Sequence, residues 1–211
     1  MSSRYYQAAA AGAALIAAVT LAACGTAASP GTPASSTPGT PAPAAATTAA
    51  FNTADITFTT STLGLEEQAA ALAGTVTGHT ATPELQQFAA GMQAQAGDAQ
   101  RLRDLMGDWR QPVPAPYSPG SLPAGMMGTG MMNAADWAEI NHEHGQSFNS
   151  GWLDAMISGY NAEVALCQQE LGSGASPQAL ALARTMLAQR QSRLAQLQQW
   201  QHDGQQMGMM G

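Results

Sequence analysis

The chain has 211 residues, of which 45% are hydrophobic and 10% charged, with 7 Lys+Arg against 14 Asp+Glu and a formal net charge of −7. All seven cations are arginines; scattered on an acidic chain, they give no basic footprint for a phosphate backbone or anionic lipid headgroups, so nucleic acid is a poor partner. The two cysteines, Cys24 and Cys167, are too few for a disulfide-stapled fold, and stability has to come from packing.

Residues 1–23 have the three parts of an export signal. They are a start carrying Arg4, an alanine-rich apolar stretch with Leu15, Ile16, Val19 and Leu21, and small residues before the cut. The uncharged run from Gln7 to Ala23 is too short to span a bilayer. Leu21-Ala22-Ala23-Cys24 resembles a bacterial lipobox. The resemblance implies that Cys24 takes a diacylglycerol, becomes the new N-terminus and, carrying palmitate-type chains, holds the protein to the outer face of the cell membrane. Two or more acyl chains, at about 0.8 kcal/mol per buried methylene, anchor a domain without a transmembrane helix. Cleavage removes Arg4 and no acid, which leaves the mature chain one unit more negative, with cations as its natural counter-charge. Once Cys24 is lipidated, Cys167 has no cysteine partner. Residues 24–50 are almost entirely Ala, Thr, Pro, Ser and Gly. That composition cannot offset the entropy of ordering, and the segment reads as a flexible tether.

Residues 51–201 are about one domain long and contain a repeat. Phe51-Asn52 opens the first copy and Phe148-Asn149 the second. Leu63 lies 20 residues before Pro83, Ile157 lies 20 before Pro177, and Trp109 and Trp200 close the two copies. The spacing predicts duplicated helical hairpins at 51–109 and 148–201, a crossover at 110–147 and a Met-rich tail at 202–211. In the first copy Thr59, Leu63, Glu66, Ala70 and Ala73 form a weak stripe, answered by Leu85, Phe88, Met92, Ala99, Leu102, Met106 and Trp109. The crossover is rich in Pro and Gly, and a short helix with Asn133 as cap and Asp136 in its first turn ends before Gly145. In the second copy Leu153, Ile157, Tyr160, Val164, Cys167 and Leu171 step by four and three. The facing stripe is Leu180, Ala183, Leu187, Leu194 and Leu197, with Arg190 as its single charged position. Thr82-Pro83 and Ser176-Pro177 read as N-caps followed by proline at the first helical position. Two hairpins, each too thin to bury its own face, pair as an all-α four-helix bundle.

The residues Phe51-Asn52-Thr53-Ala54-Asp55-Ile56-Thr57-Phe58, Met131-Met132-Asn133-Ala134-Ala135-Asp136-Trp137, and Gly145 with Phe148-Asn149 and Met156-Ile157 carry a resemblance to a bacterial family, the domain of unknown function numbered 305. The resemblance spans Phe51 to Trp200 and implies a ferritin-like bundle of duplicated hairpins. It also implies a His-His pair in the first helix of each copy, followed by Glu or Gln, and for some members copper or silver handling outside the cytoplasm. By register, the first pair falls on Leu65-Glu66, followed by Glu67-Gln68, and the second on Gly159-Tyr160, followed by Asn161. This chain lacks all four imidazoles, the natural ligands for such metals, and reads as a divergent member.

Methionine is the candidate replacement, because thioether sulfur is a soft donor suited to monovalent copper. Met126, Met127, Met131 and Met132 stand in the Gly-rich crossover, and Met207, Met209 and Met210 follow His202 in the tail. Core filling does not explain these, whereas Met92, Met106, Met156 and Met186 fall on helix stripes. Glu139 and His142 lie three apart, as in carboxylate–histidine pairs of di-iron bundles, but a single pair falls short of that site; Glu66, Glu67 and Glu163 are the other acids near inward positions. His79, beside Gly78 in a turn, is expected on the surface. Glu66 is expected to be partly buried and therefore paired with Arg190 or Arg101, or hydrogen-bonded by Tyr160. Cys167, on a stripe, is an inert buried thiol. There is no nucleophile elbow, phosphate cradle or paired-cysteine motif, which argues against an enzyme. Two functions compete: soft-metal handling, with copper as cargo, and a protein-interaction module in the cell envelope.

Overall fold

The computed structural model describes residues 51–80, 82–94, 97–121 and 130–209, all within the compact unit Ala45–Gly211. The export signal 1–23, Cys24, the tether 24–50, Met126, Met127 and Met210 lie outside the described residues. The described chain is all-helical: α1 (Thr53–Thr75), α2 (Pro83–Ala94), α3 (Gly97–Asp108), α4 (Ala134–His142), α5 (Gly145–Ser173) and α6 (Pro177–Met209). Four arms form the bundle: α1, α2 with α3, α5, and α6. Helix α1 packs on α2, α3 and α5, α6 packs on α5 and α3, and the short α4 lies against α5.

Local chemistry sets the helix ends. Asn52 caps α1, accepting from Ala54 and Asp55 N–H, while the Asp55 side chain returns a bond to Asn52 N–H. Asn133 and Asp136 make the same reciprocal box at α4, and each box satisfies amides that a helix start leaves open. Ser176 Oγ accepts from Ala179 N–H at 3.3 Å ahead of Pro177. Gly145, at φ 59°, makes the left-handed bend between α4 and α5 and donates to the His79 carbonyl at 2.7 Å.

Two apolar clusters fill the bundle. One gathers Leu72, Leu85, Trp137, Phe148, Trp152 and Met156; the other gathers Phe58, Leu63, Leu102, Met106, Cys167 and Met186. The Trp152 indole N–H donates to the Leu72 carbonyl at 2.9 Å, which satisfies its one polar atom in the interior. Phe51 stacks on Trp109 at 5.0 Å and Phe88 meets Trp200 edge-on at 5.6 Å, so both closing tryptophans seal apolar surface.

The structure corrects four expectations. Thr59, Leu63 and Ala73 of the expected α1 stripe are buried, but Ala70 is exposed and the buried face is wider, taking in Phe58, Thr62, Leu65, Gln68 and Leu72; polar residues on that face are why the stripe reads weakly. Helix α6 does not end at Trp200 but continues to Met209, so His202, Met207 and Met209 extend a helix rather than form a separate tail. His79 is half-buried: its ring nitrogens lie 2.7 Å from the Thr75 carbonyl and 3.2 Å from the Asn141 carbonyl, and the ring stacks on His144 and Phe148. Met132 is a core residue, 6% exposed, because α1 draws the crossover inward.

Candidate functional site: a charged layer in the bundle centre

On every arm a charged residue falls between the two apolar clusters. On α1 Glu66 stands between Leu63 and Ala69, and on α5 Glu163 stands between Tyr160 and Cys167. On α6 Arg190 stands between Met186 and Leu197, and Asp98 stands between Ala89 of α2 and Leu102 of α3. The bundle brings these four together. Arg190, 1% exposed, pairs through Nη2 with Glu66 and through Nε with Glu163, and its Nη2 lies 3.4 Å from Asp98 Oδ2. Its guanidinium carbon lies 5.4 Å from the centroid of the Tyr160 ring. The Tyr160 hydroxyl accepts from Arg193 Nη1 at 3.2 Å.

Of the partners expected for Glu66, Arg190 is the one found. Arg101 instead lies 3.5 Å from Asp98, its side chain mostly in solvent, and Tyr160 contributes its ring to Arg190 rather than its hydroxyl to Glu66. Both partners of the buried pair feel the loss of water. Burial raises Glu163 from its ordinary value to about 8, with the Asp98 charge adding to the rise against the pull of Arg193. Burial lowers Arg190 to about 9, still above neutral, so the guanidinium stays charged. Three ionised carboxylates around one cation would leave two excess negative charges in a dry interior; protonating Glu163 removes one. Burial likewise pushes Tyr160 up to about 12.

The positions that correspond by resemblance to the two His-His pairs are part of this layer. Leu65 is buried and apolar, Glu66 is held by Arg190, Gly159 presents no side chain and Tyr160 lies under the guanidinium. The void bordered by Leu65, Met156, Gly159 and Tyr160 has no room for a water molecule. Glu67 and Gln68, the next two residues, hold the crossover. Glu67 pairs with Arg103 and accepts Tyr117 N–H at 2.5 Å, while Gln68 accepts Met132 N–H at 2.6 Å and donates to the Gly130 carbonyl at 3.0 Å.

A second acidic pair lies at the bundle end where α5 turns into α6. Asp55 accepts N–H groups from Asn52, Ala175 and Ser176 at 2.6 to 3.2 Å. Burial would raise Asp55, but the Glu170 hydrogen bond and these amides outweigh it and hold it below its ordinary value. Glu170 is raised to about 8 by burial and by the adjacent Asp55, so at neutral pH it is mainly the acid that donates to Asp55. Sequence reading missed Asp98 and Glu170. Their signal is spacing: 98, 102, 105 and 109 step by four and three, as do 163, 167 and 170.

Met131 is partly buried in the crossover. His202 is exposed, 3.8 Å from Asp203, and the side chains of Met207 and Met209 lie outside the described residues. Glu139 and His142 are both exposed on α4. Among the described residues no group of three or more His, Cys, Asp or Glu side chains is arranged to hold a metal. Cys167 is fully buried and its thiol is pushed up to about 12, first by burial and then by nearby carboxylates, which leaves it unreactive.

The family model described as Domain of unknown function (DUF305) matches residues 55–201, and the chain belongs to that family. Two solved structures are similar in fold. A DUF305 protein from Streptomyces coelicolor, whose name marks it as secreted, is 20% identical, with a TM-score of 0.61 over 72% of this chain and 92% of that one. A DUF305 fragment from Deinococcus radiodurans is 19% identical, with a TM-score of 0.63 over 72% of this chain and 98% of that one. No curated protein matches.

Proposed function

We propose that this protein is a non-enzymatic, protein-interaction module of the cell envelope, exported and held to the outer face of the membrane by lipid on Cys24. The observation that supports it is the Arg190 guanidinium, which fills the bundle centre as a built-in cation among Glu66, Asp98 and Glu163. The guanidinium takes up the carboxylate oxygens that a metal ion would need as ligands, and the adjoining void admits no water. With the interior closed, the protein works through its surface. Export fits the signal-like residues 1–23 and the secreted relative from Streptomyces coelicolor, and no described helix is long and apolar enough to cross a membrane.

Soft-metal handling through His202 and the methionines is the competing reading, and one experiment separates them. Monovalent copper is titrated into the full chain in competition with a calibrated chelator, alongside a variant with His202, Met207, Met209 and Met210 replaced. The interaction reading expects no competitive binding in either protein. Tight binding that the variant loses would replace it with metal handling. The anchor is checked separately: Cys24→Ser moves the protein from the membrane to the soluble fraction, and unchanged fractionation would remove lipidation.

A further inference from the structure

Away from the charged layer, a cleft of about 690 Å³ opens between α4 and the first half of α5. Its volume falls in the range of pockets that take a small ligand or a few side chains. Asp136, Glu139 and Glu143 step by three and four along α4 and its end, so they share one face, and Asp154 of α5 also lines the cleft. The rest of the lining combines apolar side chains, Met131, Ile140 and Phe148 among them, with Ser147 and Ser158, and no lining residue is basic. Asp136 has a structural task in the Asn133 box, whereas no described hydrogen bond engages the side chain of Glu139 or Glu143.

The chemistry of the cleft selects its occupant. Carboxylates beside apolar side chains match a cation on an aliphatic stem, the stem against the apolar side chains and the charge at the carboxylates. This chain has no lysine, and none of its arginines lines the cleft. We infer that the α4–α5 cleft docks a short segment of another exported protein in which lysine or arginine alternates with aliphatic residues. The inference rests on the interaction-module reading and gives it a surface. Gly151 keeps one wall low: a Cβ there would meet only Ile140 Cγ1, at 3.8 Å, so a larger side chain projects into the cleft without a clash at its root.

The test is a titration of the full chain with the peptide acetyl-Leu-Lys-Leu-Lys-Leu-Lys-amide, followed by backbone amide NMR at low and at physiological ionic strength. Saturable shifts are expected at Met131, Glu139, Ile140, Gly151 and Asp154. Affinity should fall roughly tenfold in Glu139→Gln/Glu143→Gln and again in Gly151→Leu. The double glutamine variant alters only solvent-accessible positions and keeps the fold, so the test stands even if Gly151→Leu does not. Absent shifts, shifts spread over the whole acidic surface, affinity unchanged in the double variant, or equal competition by spermidine would each overturn the inference. Its failure leaves the interaction-module reading intact at another surface, whereas tight copper binding removes that reading whatever the peptide does.

Discussion

Arg190 faces three carboxylates and has no solvent to fall back on, so its removal leaves uncompensated charge in the interior. Arg190→Leu is expected to cost about 3–5 kcal/mol in urea unfolding at neutral pH, as for other broken buried pairs; a loss below about 1 kcal/mol would mean the layer is wet. Arg190→Lys should recover part of the loss, because an ammonium lacks the planar fork that reaches two carboxylates at once. The acids set the pH dependence. Glu163 and Glu170 are raised to about 8 in the folded state against an ordinary 4.5, so between those values the native state holds more protons than the unfolded chain. Their contribution is therefore complete below the ordinary value and lost as pH rises through about 8. The urea midpoint should decline from slightly acidic to mildly alkaline pH, and Glu163→Gln/Glu170→Gln should flatten the decline. Asp55, held low, acts in the opposite sense, and its contribution disappears as pH falls below the ordinary aspartate value. Arg190 and Glu66 were legible because each interrupts an apolar stripe. Asp98 was not, because the stripe was placed one residue along at Ala99, and Glu170 was not, because Leu171 fitted the periodicity equally well.

Among the helices, proline and asparagine marked boundaries: Pro83 and Pro177 start helices and Asn133 caps α4, whereas Asn52 read only as the opening of the first copy and proves to be the cap of α1. The end of α6 was obscured because Trp200 looks like a terminus, while the following Gln, His and Asp give no apolar period to follow. Two glycines near the acidic pairs make opposite predictions. Gly159 lies inside α5, and a Cβ added there would meet nothing within 4 Å, so Gly159→Ala should stabilise by roughly 0.5–1 kcal/mol through helix propensity. At Gly174 a Cβ would collide with Glu170 Oε1 and lie 2.8 Å from the Glu170 carbonyl oxygen. Gly174→Ala should therefore destabilise by about 1–3 kcal/mol, through overpacking that pushes Glu170 off Asp55. Thermal unfolding of the two variants beside the parent checks both signs.

The described bundle is two apolar clusters separated by a charged layer. The duplicated hairpin made the four arms legible, and the stripes located most of the core. What periodicity could not supply was register between arms, which decides that Glu66, Asp98, Glu163 and Arg190 meet at one level. It also could not show that Glu67 and Gln68 turn the crossover inward and bury Met132. Arg190 is thus the resident cation of the bundle, and the closed interior depends on it. The decisive measurement is nitrogen-edited NMR of its Nε–H group, assigned by loss of the signal in Arg190→Lys. A slowly exchanging, hydrogen-bonded signal is expected, one that moves in Glu163→Gln and does not change when monovalent copper is added. A fast-exchanging signal at the position of a solvated arginine, or one displaced by copper, would refute the closed interior.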